Sequence, residues 1–124
     1  MSHKSRIGVI VIDCKTDELS DALAFWSRAL SCEGHIDARG KYAILANGDG
    51  EPRVLLQAVG HEPRVHLDIE TDDREAEVAR LEALGAKRVE TLPRWTIMEA
   101  PTGHRFCLCG PQRPDFETNA RQVA

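Results

Sequence analysis

Val65-His66-Leu67-Asp68-Ile69-Glu70-Thr71-Asp72-Asp73, followed by Val78-Ala79-Arg80-Leu81-Glu82-Ala83-Leu84-Gly85-Ala86, is the stretch on which the reading of the whole chain turns. Apolar and polar residues alternate from Val65 to Glu70, which predicts a strand with two different faces. Thr71-Asp72-Asp73 supplies residues suited to a helix N-terminus. Ala76, Val78, Ala79, Leu81 and Leu84 then recur at helical spacing, with Gly85 at the stop. Three strands are expected next, over Lys87–Thr91, Trp95–Ala100 and His104–Cys109, with Pro101-Thr102-Gly103 as a turn.

The same order is written upstream. Ile7-Gly8-Val9-Ile10-Val11-Ile12 is a β-branched run, bounded by Asp13 and Lys15 and too short for a helix. Thr16-Asp17-Glu18 offers an N-cap and acids for a helix start, and Leu19, Ala22, Leu23, Trp26, Ala29 and Leu30 follow at helical spacing. Gly34 lies just past the expected end. Strands fit around Gly34–Ala38, Tyr42–Ala46 and Arg53–Val59, with Asn47-Gly48-Asp49-Gly50 as a strong turn.

Both halves therefore read strand, helix, three strands, whereas a ferredoxin-like domain would place fewer strands between its helices. Neither half can cover its own apolar surface. The expected fold is α+β: two βαβββ modules forming a curved mixed sheet around a cup, helices on the outer face. One domain spans about residues 6–110, with repeats at about 6–59 and 64–109. Residues 111–124 read as a polar tail that Phe116 could tie down.

Bulk properties narrow the function. The 124 residues carry 16 basic and 20 acidic side chains, a net charge of −4, with no basic stripe to bind nucleic acid. No apolar run is long enough to span a bilayer, and the residues before Ile7 lack the pattern of a secretory signal. A cytoplasmic location is expected. Cys14, Cys32, Cys107 and Cys109 form no Cys-x-x-Cys pair, so reduced thiols are expected.

The second half resembles the vicinal oxygen chelate superfamily, the group of glyoxalases, bleomycin-resistance proteins and extradiol dioxygenases, and within it the glyoxalase-like subfamily. The residues that carry the likeness are the His66-Leu67-Asp68 strand, Asp72-Asp73, the helix closing on Leu84-Gly85-Ala86, and Ala100-Pro101-Thr102-Gly103-His104-Arg105-Phe106-Cys107-Leu108. Leu23-Ala24-Phe25-Trp26 is similar to the family's aromatic pair on the first helix. The likeness covers roughly residues 6–110. It implies a fold more firmly than an activity, because one fold carries many chemistries.

In the metal-dependent members, the resemblance implies ligands from the first and last strand of each half. His66 falls on such a position, Cys107 stands where Glu is usual, and the first-half equivalent of His66 reads as Gly8, which has no donor. Within Leu55 to Gln57, Gln57 is the only residue able to ligate. A complete metal site is not expected. If a zinc, nickel, manganese or iron ion is held, His66, Cys107 and Gln57 would hold it. The cysteines read first as small buried hydrophobes and only second as metal ligands.

Strand parity puts Leu67 and Ile69 toward the helix and His66, Asp68 and Glu70 on the other face. A ligand-filled cup explains three titratable groups there, and so does an edge strand that meets water. In the cup reading His66 hydrogen-bonds the ligand or transfers a proton, and Asp68 or Glu70 orients it. Trp95 could wall the cup or pack in the core. Phe25 and Trp26 read as core, His35 and His61 as surface, and Arg74, Glu75, Glu77, Arg80 and Glu82 as a solvated helix face. The reading is thus a small-organic-molecule binder whose ligand set is His66, Asp68, Glu70, Gln57, Trp95 and Cys107, with His66 the catalytic candidate. The alternatives are a metal-dependent lyase or dioxygenase, or an antibiotic-sequestering resistance protein. A homodimer is common among the proteins it resembles.

Overall fold

A computed structural model describes residues 2–48 and 50–124. Of the Asn47–Gly50 turn, Asp49 lies outside the described residues. The chain divides into two compact units, Val9–His66 and a second made of the residues up to Gly8 with Leu67–Ala124.

The first unit takes most of β1 (His3–Lys15), then α1 (Ser20–Ala29), β2 (Glu33–Ile36), β3 (Tyr42–Ala46) and β4 (Arg53–Val59). Its strand order is β2-β3-β4-β1, with β1 and β4 parallel and the rest antiparallel. Ala43, Leu45, Val54 and Leu56 from the sheet pack with Leu19, and Ile10, Ile12, Ala22, Leu23 and Trp26 join them. Parity then turns Val9, Val11, Asp13, Ile44, Leu55 and Gln57 to the face away from α1.

Three local readings change here. β1 runs through Asp13 to Lys15 rather than ending at Ile12, because Asp13 pairs with Gln57 in the parallel ladder. Helix α1 starts at Ser20, whose backbone N–H donates to the Glu18 carboxylate at 2.8 Å, so Thr16 lies before the helix and not at its cap. The helix stops on Ser31, at φ 55°, where the Ser31 and Cys32 amides close back on Arg28 O and Ser27 O. Gly34 sits instead within β2, where a Cβ would lie 2.7 Å from the Leu45 side chain.

The second unit holds β5 (Arg64–Thr71) from Leu67 onward, α2 (Arg74–Ala83), β6 (Lys87–Thr91), β7 (Trp95–Glu99) and β8 (Arg105–Cys109). Its order is β5-β8-β7-β6, again with one parallel pair, β5 with β8. Asp73 caps α2 by accepting from the Ala76 amide at 3.0 Å. Val78, Met98 and Leu108 form the core with Ile69, Leu81, Ala86 and Phe106. Glu77 does not belong to a solvated face: it is fully buried and bonded to His3, Ser5 and Arg80.

The tail is structured. α3 (Phe116–Asn119) buries Phe116, and β9 (Arg121–Val123) pairs antiparallel with His3–Ser5 at the start of β1. Both modules are thus βαβββ with one helix packed on one face of a mixed sheet, and the fold is α+β. Among the described residues, no helix is long and apolar enough to cross a membrane.

Candidate functional site

The two modules can be laid on each other by their ladders. Ile12 pairs with Leu56 in one and Ile69 with Leu108 in the other, and both leucines are fully buried. With these aligned, Asp13 corresponds to Glu70, Gln57 to Cys109 and Tyr42 to Trp95. Each module therefore carries one lateral row on the face away from its helix: Tyr42–Gln57–Asp13 and Trp95–Cys109–Glu70. Both rows end in a buried carboxylate.

The two carboxylates have different partners. Glu70 is saturated: Arg6 Nε donates to Oε1 at 2.7 Å and the Gln112 amide donates to Oε2 at 2.9 Å. Arg6 also reaches Asp115 Oδ1 at 3.0 Å and lies over the Phe116 ring, 5.4 Å from its centroid. A Cβ on Gly8 would stand 2.2 Å from Glu70 Cγ, so glycine there makes room for this carboxylate.

Asp13 instead holds a histidine. His66 Nδ1 lies 3.0 Å from Asp13 Oδ2, and the Asp13 side chain is 1 % exposed against 18 % for His66. Arg64 Nε is 3.5 Å and His61 Nε2 3.9 Å from the same oxygen. Asp13 Oδ1 is buried without a hydrogen-bond partner. A carboxylate oxygen accepts, so the Asp13 contact favours the tautomer in which Nδ1 of His66 donates to it. Next along the row, Gln57 Nε2 donates to the Tyr42 hydroxyl at 3.4 Å.

Of the residues expected from sequence, His66 and Gln57 fall in one neighbourhood through Asp13, which pairs with Gln57 in register. Asp68 pairs in register with Cys107, and Trp95 with Cys109. Trp95 is 39 % exposed, and Glu70 is engaged by Arg6 and the tail. Burial pushes the Cys109 thiol up to about 12, helped by the charges of Asp68 and Glu70, and the thiol donates to Ile69 O at 3.7 Å. Such a thiol is neutral at ordinary pH and a poor nucleophile. Asp13 escaped the sequence reading because it served there as the end of an apolar run. Its parity, opposite to Ile10 and Ile12, was the available signal.

The same alignment locates the family's metal positions. His66 corresponds to Val9, one residue on from the Gly8 expected from sequence, and Cys107 corresponds to Leu55 rather than Gln57. Neither valine nor leucine has a donor atom, so half of the usual four-ligand set cannot coordinate. The usual four-ligand set is therefore incomplete at these two positions of the first module.

A family model described as a glyoxalase-like domain matches residues 9–109. The chain belongs to the glyoxalase-like domain family. It is a member of the vicinal oxygen chelate superfamily, and solved structures share its fold. A hypothetical protein from Bacillus halodurans C-125 matches at TM-score 0.65 and 15 % identity, covering 88 % of this domain and 96 % of that chain. A methylmalonyl-CoA epimerase from Mycobacterium tuberculosis gives TM-score 0.60 and 20 % identity over 86 % and 88 % of the two chains. A Mn(II)-bound glyoxalase from Novosphingobium aromaticivorans gives 0.61 and 22 %, covering 91 % of this domain but 42 % of that longer chain. No curated protein matches the glyoxalase-like domain at significance.

Proposed function

We propose that this glyoxalase-like domain binds a small organic molecule without a metal, on the face of the first module that Asp13 and Gln57 share, with His66 as its proton-exchanging partner. The observation that carries the reading is the His66–Asp13 bond: a buried carboxylate holds the ring in one orientation and favours the tautomer protonated on Nδ1. Around it, Ile44, Leu55 and Val11 give the face an apolar floor, and Tyr42 and Gln57 give it polar groups. That mixture suits a molecule with an apolar body and oxygen substituents. None of the four cysteines is in a disulfide, which agrees with residence in a reducing compartment such as the cytoplasm.

The test is a thermal-shift screen of small aromatic and keto acids against metal-free protein. Hits should bind the wild type and lose at least about tenfold in affinity in His66→Ala, the worth of one charge-assisted or buried hydrogen bond. Circular dichroism should show both folded. His66→Gln provides a second variant if the alanine protein is unstable. Hits that bind all three proteins equally would overturn the reading.

One observation favours the metal-dependent alternative. His66 and Asp68 stand two residues apart on β5, and Cys107 is the register partner of Asp68, so His, carboxylate and thiol donors are near neighbours in the ladder. Elemental analysis of untagged protein decides it. About one zinc, nickel, manganese or iron per chain would promote a lyase or dioxygenase reading.

A further inference from the structure

Beyond the Tyr42–Gln57–Asp13 row, the first module carries an open cleft of about 580 Å³ whose lining includes Lys15, Asp17, Arg39, Gly40, Lys41 and Gly60. Three cations face one carboxylate there, in a chain whose net charge is −4. Lys15 Nζ is bonded to Glu62 at 2.7 Å, but the Glu62 side chain is 83 % exposed and such a pair exchanges readily. Among the described residues, the Arg39 and Lys41 side chains make no hydrogen bond or ion pair.

The loop that presents them is ordered. Asp37 Oδ1 accepts from the Lys41 and Tyr42 amides at 3.0 and 3.3 Å, and the Gly40 amide donates to Asp37 O at 3.0 Å. Just past the end of β4, a Cβ at Gly60 would meet nothing within 4 Å, and its backbone is not left-handed. Packing therefore supplies no reason for glycine at this position. Its effect is to leave that part of the lining without a side chain.

Lys15 follows Asp13 by two residues and so shares its side of β1, about 7 Å further along the strand. Lys41 directly precedes Tyr42. We infer that this cleft is an anion subsite, and that the molecule held at His66 carries a carboxylate or phosphate group that reaches it. The inference rests on the function proposed above for that face. Free cations beside a polar row fix an anionic end, while the row itself reads the uncharged part of the ligand.

The experiment is an amide-resolved NMR titration at physiological ionic strength, using inorganic phosphate in one arm and succinate in the other. The expected result is saturable shifts at Thr16, Gly40, Lys41 and Gly60 with at least one probe, and the stronger arm tells phosphate from carboxylate. The R39A/K41A double variant should weaken binding at least about tenfold. His66→Ala should change it less than about twofold, since the two sites make separate contacts. Linear, unsaturable shifts in both arms, or equal affinity in the double variant, would overturn the subsite. Failure of the subsite leaves any His66-dependent hits from the screen standing, and loss of those hits leaves saturable anion binding standing.

Discussion

His66 Nδ1 and Asp13 Oδ2 lie 3.0 Å apart, and they come from strands more than fifty positions apart in sequence. The contact makes the histidine's orientation a property of a buried side chain rather than of the surface. It also makes Asp13 the residue to alter. In Asp13→Asn the shape is kept, but the amide can present its N–H to the ring and favour the other tautomer. Long-range nitrogen–proton NMR should find His66 protonated on Nδ1 in the wild type and redistributed in Asp13→Asn. Binding of the molecules that require His66 should fall about tenfold or more. An unchanged tautomer together with unchanged binding would remove Asp13 from the site.

Val9 and Leu55 in the places of two metal ligands lead to a second expectation. On the metal-free reading proposed above, a chelator should leave the melting temperature within about 1 °C of the untreated protein. A structural ion held at β5 and β8 would instead show as a drop of several degrees, reversed by adding the metal back.

Glu70 occupies the space that any side chain at position 8 would need, and it cannot swing away without breaking bonds to Arg6 and the Gln112 amide. Gly8→Ala should therefore cost about 1–3 kcal/mol, as overpacking does. Truncation after Gly110 removes the Gln112 amide, Asp115, Phe116 and β9 together, and should cost more than Gly8→Ala. Urea unfolding of the two variants checks the order. A truncated chain as stable as the wild type would show that the tail merely lies on the surface.

The βαβββ repeat was legible because periodicity is a local signal: Val65 to Glu70 alternates, and the helix after it is spaced by threes and fours. What was not legible depends on pairing between distant residues. Asp13 reads as a strand end until its ladder with Gln57 is known, and the equivalence of His66 with Val9 shifts by one residue from the sequence alignment. A one-residue slip exchanges the faces of a strand, which is why Gly8 was taken for the missing ligand position. Glu77 misled for a similar reason. Its helix neighbours are charged, and nothing local announces that His3 and Ser5 come from β1 to meet it.

That same Glu77 should contribute to the acid stability. Burial alone would raise its pKa, but the hydrogen bonds from Arg80, Ser5 and His3, with the Arg80 charge, outweigh burial and bring it from the ordinary 4.5 down to about 2. The folded state thus binds this proton less readily than the unfolded chain does. Its contribution is fully present above pH 4.5 and is lost as the pH falls from there through about 2. The gap between those values corresponds to about 3 kcal/mol at most. Glu77→Gln lacks the titrating group, so it should be less stable than the wild type at pH 7 and lose less on acidification. The two unfolding free energies should converge toward pH 2. Parallel curves between pH 5 and 2 would place the acid sensitivity in other carboxylates, with the Arg6-bound Asp115, also held at about 2, the next to substitute.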